Sequence, residues 1–177
     1  GDKEKRKVKA LIEEEYKGRR VIRIPLMMGD FIIERYIGYG RGVMGGNVWF
    51  MCDTEESALE VGERAVEAIR IVEGAITTFN TCAAGSKAES KYPEIGPTTN
   101  HPYCPTLRGK IPDSRVPSGV NSIPEVVING ITIDAVRSAM KAAVLSAQGV
   151  RGVMKVSAGN YGGELGKYKI FLRDLFP

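Results

Sequence analysis

The sequence is poor in the residues that most often bind metals. It has one histidine, His101, and three cysteines, Cys52, Cys82 and Cys104, among 177 residues. The cysteines are far apart and form no C-x-x-C pair, whereas a structural zinc site needs four ligands in paired spacings. We therefore expect no bound metal. An odd number of cysteines without a signal sequence also suggests a reducing compartment, which predicts a cytoplasmic protein.

Long hydrophobic runs are also missing. No apolar stretch approaches the ~18 residues that cross a membrane, and the basic first residues are not followed by the apolar core of a signal peptide. Hydrophobic residues make up 43% of the chain and charged residues 26%, a composition typical of globular proteins. The sequence predicts no membrane partner.

An excess of positive charge is found only at the start of the chain. The net charge is +4, and residues 1–20 hold eight basic and five acidic side chains, so the remainder is nearly neutral. A nucleic-acid-binding module usually has a basic face across its fold, often with aromatic residues between the charges. We therefore expect no nucleic-acid partner. Residues 1–17 are interpreted as a basic N-terminal segment outside the core, and residues 18–177 as one domain with a long loop at 80–120.

Glycine, in contrast, is abundant, with 21 residues. Two clusters, at 38–46 and 159–166, do not fit a G-x-x-x-x-G-K-[ST] phosphate loop or a G-x-G-x-x-G turn leading from a strand into a helix. They predict either tight turns between strands or backbone that approaches a ligand closely, where a Cβ would be in the way. Asn47 and Asn160, which stand beside these glycines, could donate amide groups to a polar ligand or simply occupy turns.

Hydrophobic periodicity and turn residues predict two helices and several strands. One helix begins after Asp53, its expected N-cap, and runs to about residue 71, before Gly74. The second begins after a cap at Thr132 and ends at Gly149. The expected strands cover residues 21–24, 31–34, 48–52, 75–79, 126–128, 153–156 and 168–172.

The chain contains an internal repeat with a shift of 78 residues. The shift pairs Thr54 with Thr132 and brings apolar residues and glycines into register, so that each copy reads strand, helix, strand. Two such units predict an α+β fold: a ferredoxin-like split-βαβ sandwich with a mainly antiparallel sheet and two helices on one face. The strand pairs at 21–36 and 153–172 are expected to extend that sheet.

One carboxylate falls on a predicted strand. In the run PEVVING at 124–130, the period of two puts Glu125 and Asn129 on one face. If that face is partly apolar, desolvation raises the pKa of Glu125 and suits it to proton transfer near neutral pH. The alternative is a glutamate on an edge strand in water.

Several motifs, in their order and spacing, resemble those of one enzyme family. They are Met44-Gly45-Gly46-Asn47, Gly85-Ser86-Lys87, Thr99-Asn100 with Tyr103-Cys104-Pro105, Glu125–Gly130, and Ser157-Ala158-Gly159-Asn160-Tyr161-Gly162-Gly163. Together they are similar to the C-terminal lobe of formylmethanofuran:tetrahydromethanopterin formyltransferase, over about residues 18–176.

The resemblance implies an α/β sandwich lobe of a cytoplasmic homo-oligomer, with the active site in a cleft where subunits meet. It implies formyl transfer from formylmethanofuran to N5 of tetrahydromethanopterin, in methanogenesis and related one-carbon pathways, with no prosthetic group. Glu125 is implied as the catalytic carboxylate. The residues implied to bind or shape the substrate cleft include Gly45, Gly46, Asn47, Ser86, Lys87, Ser157, Gly159, Asn160 and Tyr161.

The implied reaction needs proton transfer and stabilisation of a negative charge. N5 attacks the formyl carbon, and a carboxyl group takes the proton from N5 and returns it to the departing amine. Backbone N–H groups at a glycine turn, or an asparagine amide, can stabilise the oxyanion of the tetrahedral intermediate.

The sequence departs from the family pattern in three places. Nothing in it corresponds to the family's N-terminal lobe, residues 80–84 (Asn-Thr-Cys-Ala-Ala) replace a usual Gly-Gly loop, and Glu164 stands where lysine is usual. An alternative hypothesis is a half-length relative without catalysis that serves as a binding or assembly module. The length of the coding sequence distinguishes the two hypotheses.

Overall fold

The computed structural model describes residues 12–85, 100–159 and 166–176. The chain divides into two compact units, Gly1–Gly40 and Arg41–Pro177. The expected boundary between residues 17 and 18 falls inside the first unit, in the turn between two paired strands. Neither α-helix in the described ranges has the length and apolar composition needed to cross a membrane.

The first unit contains a three-stranded antiparallel sheet, in the order β1 (Ile12–Tyr16), β2 (Arg19–Pro25) and β3 (Asp30–Glu34). The expectation that β2 and β3 extend the sheet of the repeat is wrong, because they form this separate sheet with β1. The pattern of β1 does not predict a strand, since three consecutive glutamates interrupt it. Its charges find partners across the sheet: Arg23 on β2 donates to Glu14 on β1, with Nε 3.0 Å from Oε1.

The second unit contains the repeat. Its elements are β4 (Val43–Cys52), α1 (Glu55–Arg70), β5 (Ala75–Thr77), β6 (Cys82–Ala83), β7 (Pro124–Gly130), α2 (Ile133–Ser146) and β8 (Val153–Ser157). The strand order is β5–β7–β4–β8, all neighbours are antiparallel, and β6 also pairs with β7. Each helix joins two strands that have a strand of the other copy between them. The predicted α+β class is confirmed.

The two α-helices begin in the same way. Thr54 and Thr132, which are equivalent in the repeat, are the N-caps, and their side chains accept hydrogen bonds from the backbone N–H groups of Ser57 and Ala135. The prediction for Thr132 is confirmed. The N-cap predicted at Asp53 is wrong by one residue, because Thr54 holds that position. The Asp53 carboxylate instead accepts a hydrogen bond from the Ser57 hydroxyl at 3.2 Å.

Both helices cover one face of the sheet. Alternate residues of the two central strands point to the helices and are fully buried: Val48, Phe50, Val126 and Ile128. The opposite face has a smaller buried cluster, which includes Trp49, Met51, Ala84, Val120 and Ile123. The buried side chains of the helix-covered face are thus all apolar, whereas the opposite face also has buried polar side chains, Asn47 and Glu125.

Residues 168–172 form no strand, contrary to the expectation. The chain forms a 3-10 helix over Leu172–Leu175, in which Leu175 is buried. Ile170 and Leu172 pack with it against the helix-covered core. The alternating apolar residues predict a strand, but here they are covered by packing on the core without pairing to the sheet. Within the described parts of the expected loop at 80–120, the structure has β6 and two short 3-10 helices, His101–Tyr103 and Pro105–Leu107.

Candidate active site

Glu125 lies on the sheet face away from the helices. Its strand, β7, runs between β4 and β6, and its paired residues are Trp49 on β4 and Cys82 on β6. Directly opposed residues of antiparallel strands project to the same face, so the three side chains form a row across the sheet. Glu125 is only 6% exposed. The alternative of an edge-strand glutamate in water is therefore excluded.

Two donors contact the Glu125 carboxylate, one at each oxygen. The indole Nε1 of Trp49 donates to Oε1 at 3.0 Å, and the thiol of Cys82 lies 3.6 Å from Oε2, a hydrogen-bonding distance for sulfur. Burial raises the pKa of Glu125, whereas the hydrogen bonds from Trp49 and Cys82 lower it, and burial is the largest of these effects. The carboxyl group therefore keeps its proton to a higher pH than an exposed glutamate does.

Close packing around Trp49 explains two of the glycines in the motifs. The Trp49 ring meets the Tyr103 ring edge-on, with centroids 5.1 Å apart and planes at 65°. A Cβ on Gly159 would lie 2.5 Å from Cζ2 of Trp49, and a Cβ on Gly85 would lie 2.5 Å from the backbone N of Cys104. These separations are too short for any other residue without movement. The backbone at Gly159 and Gly85 thus approaches other groups of the protein closely, namely Trp49 and Cys104.

Asn47 joins two of the predicted motifs to each other. Its Oδ1 accepts a hydrogen bond from the backbone N–H of Gly159 at 2.6 Å, and its Nδ2 lies 3.4 Å from the carbonyl oxygens of both Gly159 and Gly45. Gly45 has a φ of +84° and its N–H donates to Oδ1 of Asn129 at 3.1 Å. The amide of Asn47, which was a candidate for a polar ligand, is therefore engaged with the main chain.

The other predicted residues differ in where they lie. Ser157 is opposite Trp49 on β8, so it shares the face of Glu125 and is half-buried. Gly46 faces the helices, where a Cβ would lie 2.5 Å from Cγ1 of Val136. Gly46 therefore permits close packing of α2 on β4 and does not project toward Glu125. Four predicted residues lie outside the described ranges: Ser86, Lys87, Asn160 and Tyr161.

The two side chains that bind Glu125, Trp49 and Cys82, are not predicted by the sequence motifs. Trp49 lies two residues after Asn47, so the strand period places both on one face. Its contact with Glu125 depends on the pairing of β4 with β7, which the strand period alone does not determine. Cys82 falls in a stretch without periodicity, and no sequence signal indicates its pairing with Glu125. In the described ranges, no three His, Cys, Asp or Glu residues come close enough together to hold a metal ion.

The fold and the site together define an α+β lobe with a buried carboxylate, Glu125, on one face of its sheet. Comparison with known proteins agrees with this class. The family model described as "FTR, proximal lobe" matches residues 29–175. The chain therefore belongs to the proximal-lobe family of the formylmethanofuran:tetrahydromethanopterin formyltransferases, and the resemblance found in the sequence is confirmed.

Individual relatives support the same family. A formylmethanofuran--tetrahydromethanopterin formyltransferase-like protein of Archaeoglobus fulgidus is 59% identical over 163 residues, which are 92% of this chain and 54% of the relative. The formylmethanofuran--tetrahydromethanopterin formyltransferase of Methanocaldococcus jannaschii is 48% identical, over 93% of this chain and 56% of its own length. A solved formyltransferase from Methanosarcina barkeri has a TM-score of 0.72 and 41% identity, covering 94% of this chain and 57% of that chain. The chain spans about half the length of the curated relatives it matches.

Proposed function

We propose that this chain forms the lobe of a formyltransferase that supplies the proton-transferring carboxylate. The substrates are formylmethanofuran as formyl donor and tetrahydromethanopterin as acceptor, the two carriers in the names of its relatives. The observation that carries the proposal is the buried position of Glu125 between Trp49 and Cys82. A carboxylate without a cationic partner in the described structure, and with a raised pKa, is suited to exchange a proton during catalysis.

The proposed reaction conserves one proton. The lone pair of N5 forms a bond to the formyl carbon, and the carbonyl π electrons move to oxygen. Glu125 removes the proton that N5 then carries. The same proton passes to the methanofuran nitrogen as its bond to the formyl carbon breaks and the carbonyl reforms. Glu125 ends in its starting state, so the lobe needs no further reagent.

The residues around Glu125 have separate proposed tasks. Ser157, Gly159 and Gly45 border the substrate cleft, while Asn47 holds the backbone of the two glycines together. Ser86 and Lys87 follow Gly85 directly in the chain, and Asn160 and Tyr161 follow Gly159. We assign all four to substrate contacts on the basis of the resemblance. Gly46 supports the cleft indirectly, since it lets α2 approach β4.

The Glu125→Gln variant tests the proposal. Glutamine keeps the size of the side chain and an acceptor for Trp49, but its amide cannot take up or release a proton near neutral pH. General acid–base catalysis contributes typically about 10²–10⁴ in rate, so kcat should fall by that factor while the fold is kept. The assay is formyl transfer between methanofuran and tetrahydromethanopterin, made with the complete protein in which this chain occurs.

A matched control is Asp134→Asn, which also exchanges a carboxylate for an amide. Asp134 is exposed in the first turn of α2, where its charge interacts favourably with the helix dipole. Its loss should cost a few tenths to about 1 kcal/mol of stability and leave kcat unchanged. Turnover of Glu125→Gln within about threefold of the parent, a loss far below the range expected for acid–base catalysis, would contradict the catalytic assignment.

We also propose that the protein self-associates in the cytoplasm, as the resemblance implies. The described residues include apolar side chains with large exposed fractions, among them Met27 and Tyr39, which are fully exposed, and Ile37 at 82%. Exposed apolar surface of this kind often marks an interaction site. Light scattering should give a mass above that of one chain, and a monomer at high concentration would contradict the proposal.

A further inference from the structure

Cys82 has a specific place in the structure. It belongs to β6, a strand of only two residues, and it pairs with Glu125 along the edge of β7 opposite to Trp49. Its thiol is half-buried and points to Oε2, the carboxylate oxygen that Trp49 does not contact. The two oxygens of Glu125 are thus contacted by donors from two different neighbouring strands.

The Cys82 thiol keeps its own proton at neutral pH. Burial, and then the charge of Glu125 and the hydrogen bond to it, raise the pKa of Cys82 to about 11. Nucleophilic and metal-binding cysteines act as thiolates and need a lowered pKa. A protonated thiol can only donate a hydrogen bond or fill space here.

No other ionisable group in the described structure contacts Glu125. On the neighbouring elements, Lys155 of β8 is opposite Met51, and His101 binds Asp113, with Nε2 3.0 Å from Oδ2. The Tyr103 ring packs against Trp49. In the described part of the chain, Cys82 is therefore the ionisable side chain in a position to influence the proton on Glu125.

We propose that Cys82 is a positioning residue for Glu125. Its thiol donates to Oε2, favours the carboxylate over the carboxylic acid and opposes rotation of the carboxyl plane away from Trp49. Burial and the thiol act in opposite directions on the proton affinity of Glu125. This inference rests on the proposed function for its catalytic meaning, but the hydrogen bond itself can be measured without any substrate.

The first experiment titrates the Glu125 carboxyl group directly. The signal is identified by 13C NMR of carboxyl-labelled glutamate, as the resonance absent from Glu125→Gln. Cys82→Ala removes the donor and should raise the pKa of Glu125, whereas Cys82→Ser keeps a donor and should leave it lower than in Cys82→Ala. An unchanged titration of Glu125 in Cys82→Ala would overturn the inference, whatever happens to activity.

A matched control separates positioning from loss of packing. Cys52→Ala removes a thiol of the same size that is fully buried on the opposite, helix-covered face. It should leave the titration of Glu125 unchanged, even if it lowers the melting temperature more than Cys82→Ala does. An equal shift in both variants would show that loosened packing is the cause and would overturn the inference.

A reciprocal measurement covers the case in which Cys82→Ala does not fold. In Glu125→Gln, the thiol loses the charge that raises its pKa, so the pH dependence of Cys82 alkylation, followed by peptide mass spectrometry, should shift to lower pH. An unshifted alkylation profile would contradict the contact between the two groups.

The second experiment uses the pH profile of kcat/KM for formyl transfer. If Glu125 acts as the base, the acidic limb of the kcat/KM profile should lie at higher pH in Cys82→Ala than in the parent. At low pH, kcat/KM should then fall about tenfold for each pH unit by which the limb moves. Cys82→Ser should restore the limb toward the parent. If the pKa of Glu125 shifts in the NMR titration but the acidic limb of kcat/KM does not move, the proposed function is contradicted. The hydrogen bond from Cys82 is then still established. A limb that shifts with no change in the titration would overturn the inference.

Discussion

Asn47 and Glu125 occupy equivalent positions in the two copies of the repeat, since 78 residues separate them. Both are buried polar residues on the same face of the sheet, 8% and 6% exposed. Their partners differ in kind: Asn47 contacts the main chain of two glycines, whereas Glu125 contacts the side chains of Trp49 and Cys82. The position therefore holds a side chain that binds the backbone in the first copy of the repeat and an ionisable side chain in the second.

The chemistry of the two side chains fits this division. A buried amide must satisfy donors and an acceptor at once, which the backbone near Gly45 and Gly159 does for Asn47. A buried carboxylate needs donors only, and each donor that it receives stabilises the charged form. Main-chain contacts cannot be adjusted by mutation of the partner, whereas the side-chain donors of Glu125 can. Substitution of Trp49 or Cys82 can therefore change the proton affinity of Glu125, whereas no side-chain substitution removes the backbone groups that Asn47 contacts.

The largest effect on stability among these tests should follow from Asn47→Ala. The variant leaves the N–H of Gly159 without its acceptor at 2.6 Å, and an unsatisfied buried donor costs about 1–3 kcal/mol. Urea denaturation measures the change. A suitable control is Asn121→Ala, an exposed residue whose Nδ2 donates to the carbonyl of Asp53 and whose loss should cost less. Equal costs would contradict the structural role of Asn47.

The helix caps test whether the two copies are equivalent away from the site. Thr54→Ala and Thr132→Ala each remove the capping hydrogen bond from a backbone N–H, that of Ser57 or Ala135, and each should cost about 1 kcal/mol. Thr54→Ala also removes a contact at 2.8 Å between the Thr54 and Ser57 hydroxyls, so its cost should be the larger of the two. Thermal denaturation of the two variants measures these costs. A difference between them of more than about 1 kcal/mol would show that the two helix starts are not equivalent.

The subtlest test is the pH dependence of stability. Glu125 has a folded-state pKa above its ordinary value of 4.5, so the folded protein binds its proton more tightly than the unfolded chain does. Its contribution to the free energy of unfolding is present below that ordinary value and is lost as the pH rises through the folded pKa. Relative to Glu125→Gln, the parent should therefore lose stability with rising pH. An opposite slope in the difference between the two proteins would show that the pKa is lowered.

Much of this arrangement is predictable from sequence, because it depends on local patterns. The 78-residue repeat predicts the α+β class, and the strand period correctly places Glu125 and Asn129 on one face of β7. The resemblance identifies the family. The strand expected at 168–172 is absent because alternating apolar residues are equally compatible with packing on the core.

Contacts between distant segments are the part that the sequence does not predict. Cys82 is 43 residues from Glu125 and Trp49 is 76 residues from it. Neither contact leaves a periodic signal, since each depends on strand pairing across loops. β1 is missed for a similar reason: the partners of its glutamates are distant in sequence, since Glu14 accepts from Arg23 of β2 and Glu13 pairs with Arg35.

The interior position of β7 in its sheet should limit the motion of the backbone at Glu125. β7 has β4 along one edge and β5 and β6 along the other, so its backbone amides are hydrogen-bonded from both sides. Local fraying opens edge strands and loops at little cost, but a central strand opens mainly when the whole unit unfolds. The amide protons next to Glu125 should thus be among the slowest to exchange with solvent. We therefore expect the group proposed to move the proton to be attached to one of the least mobile strands of the sheet.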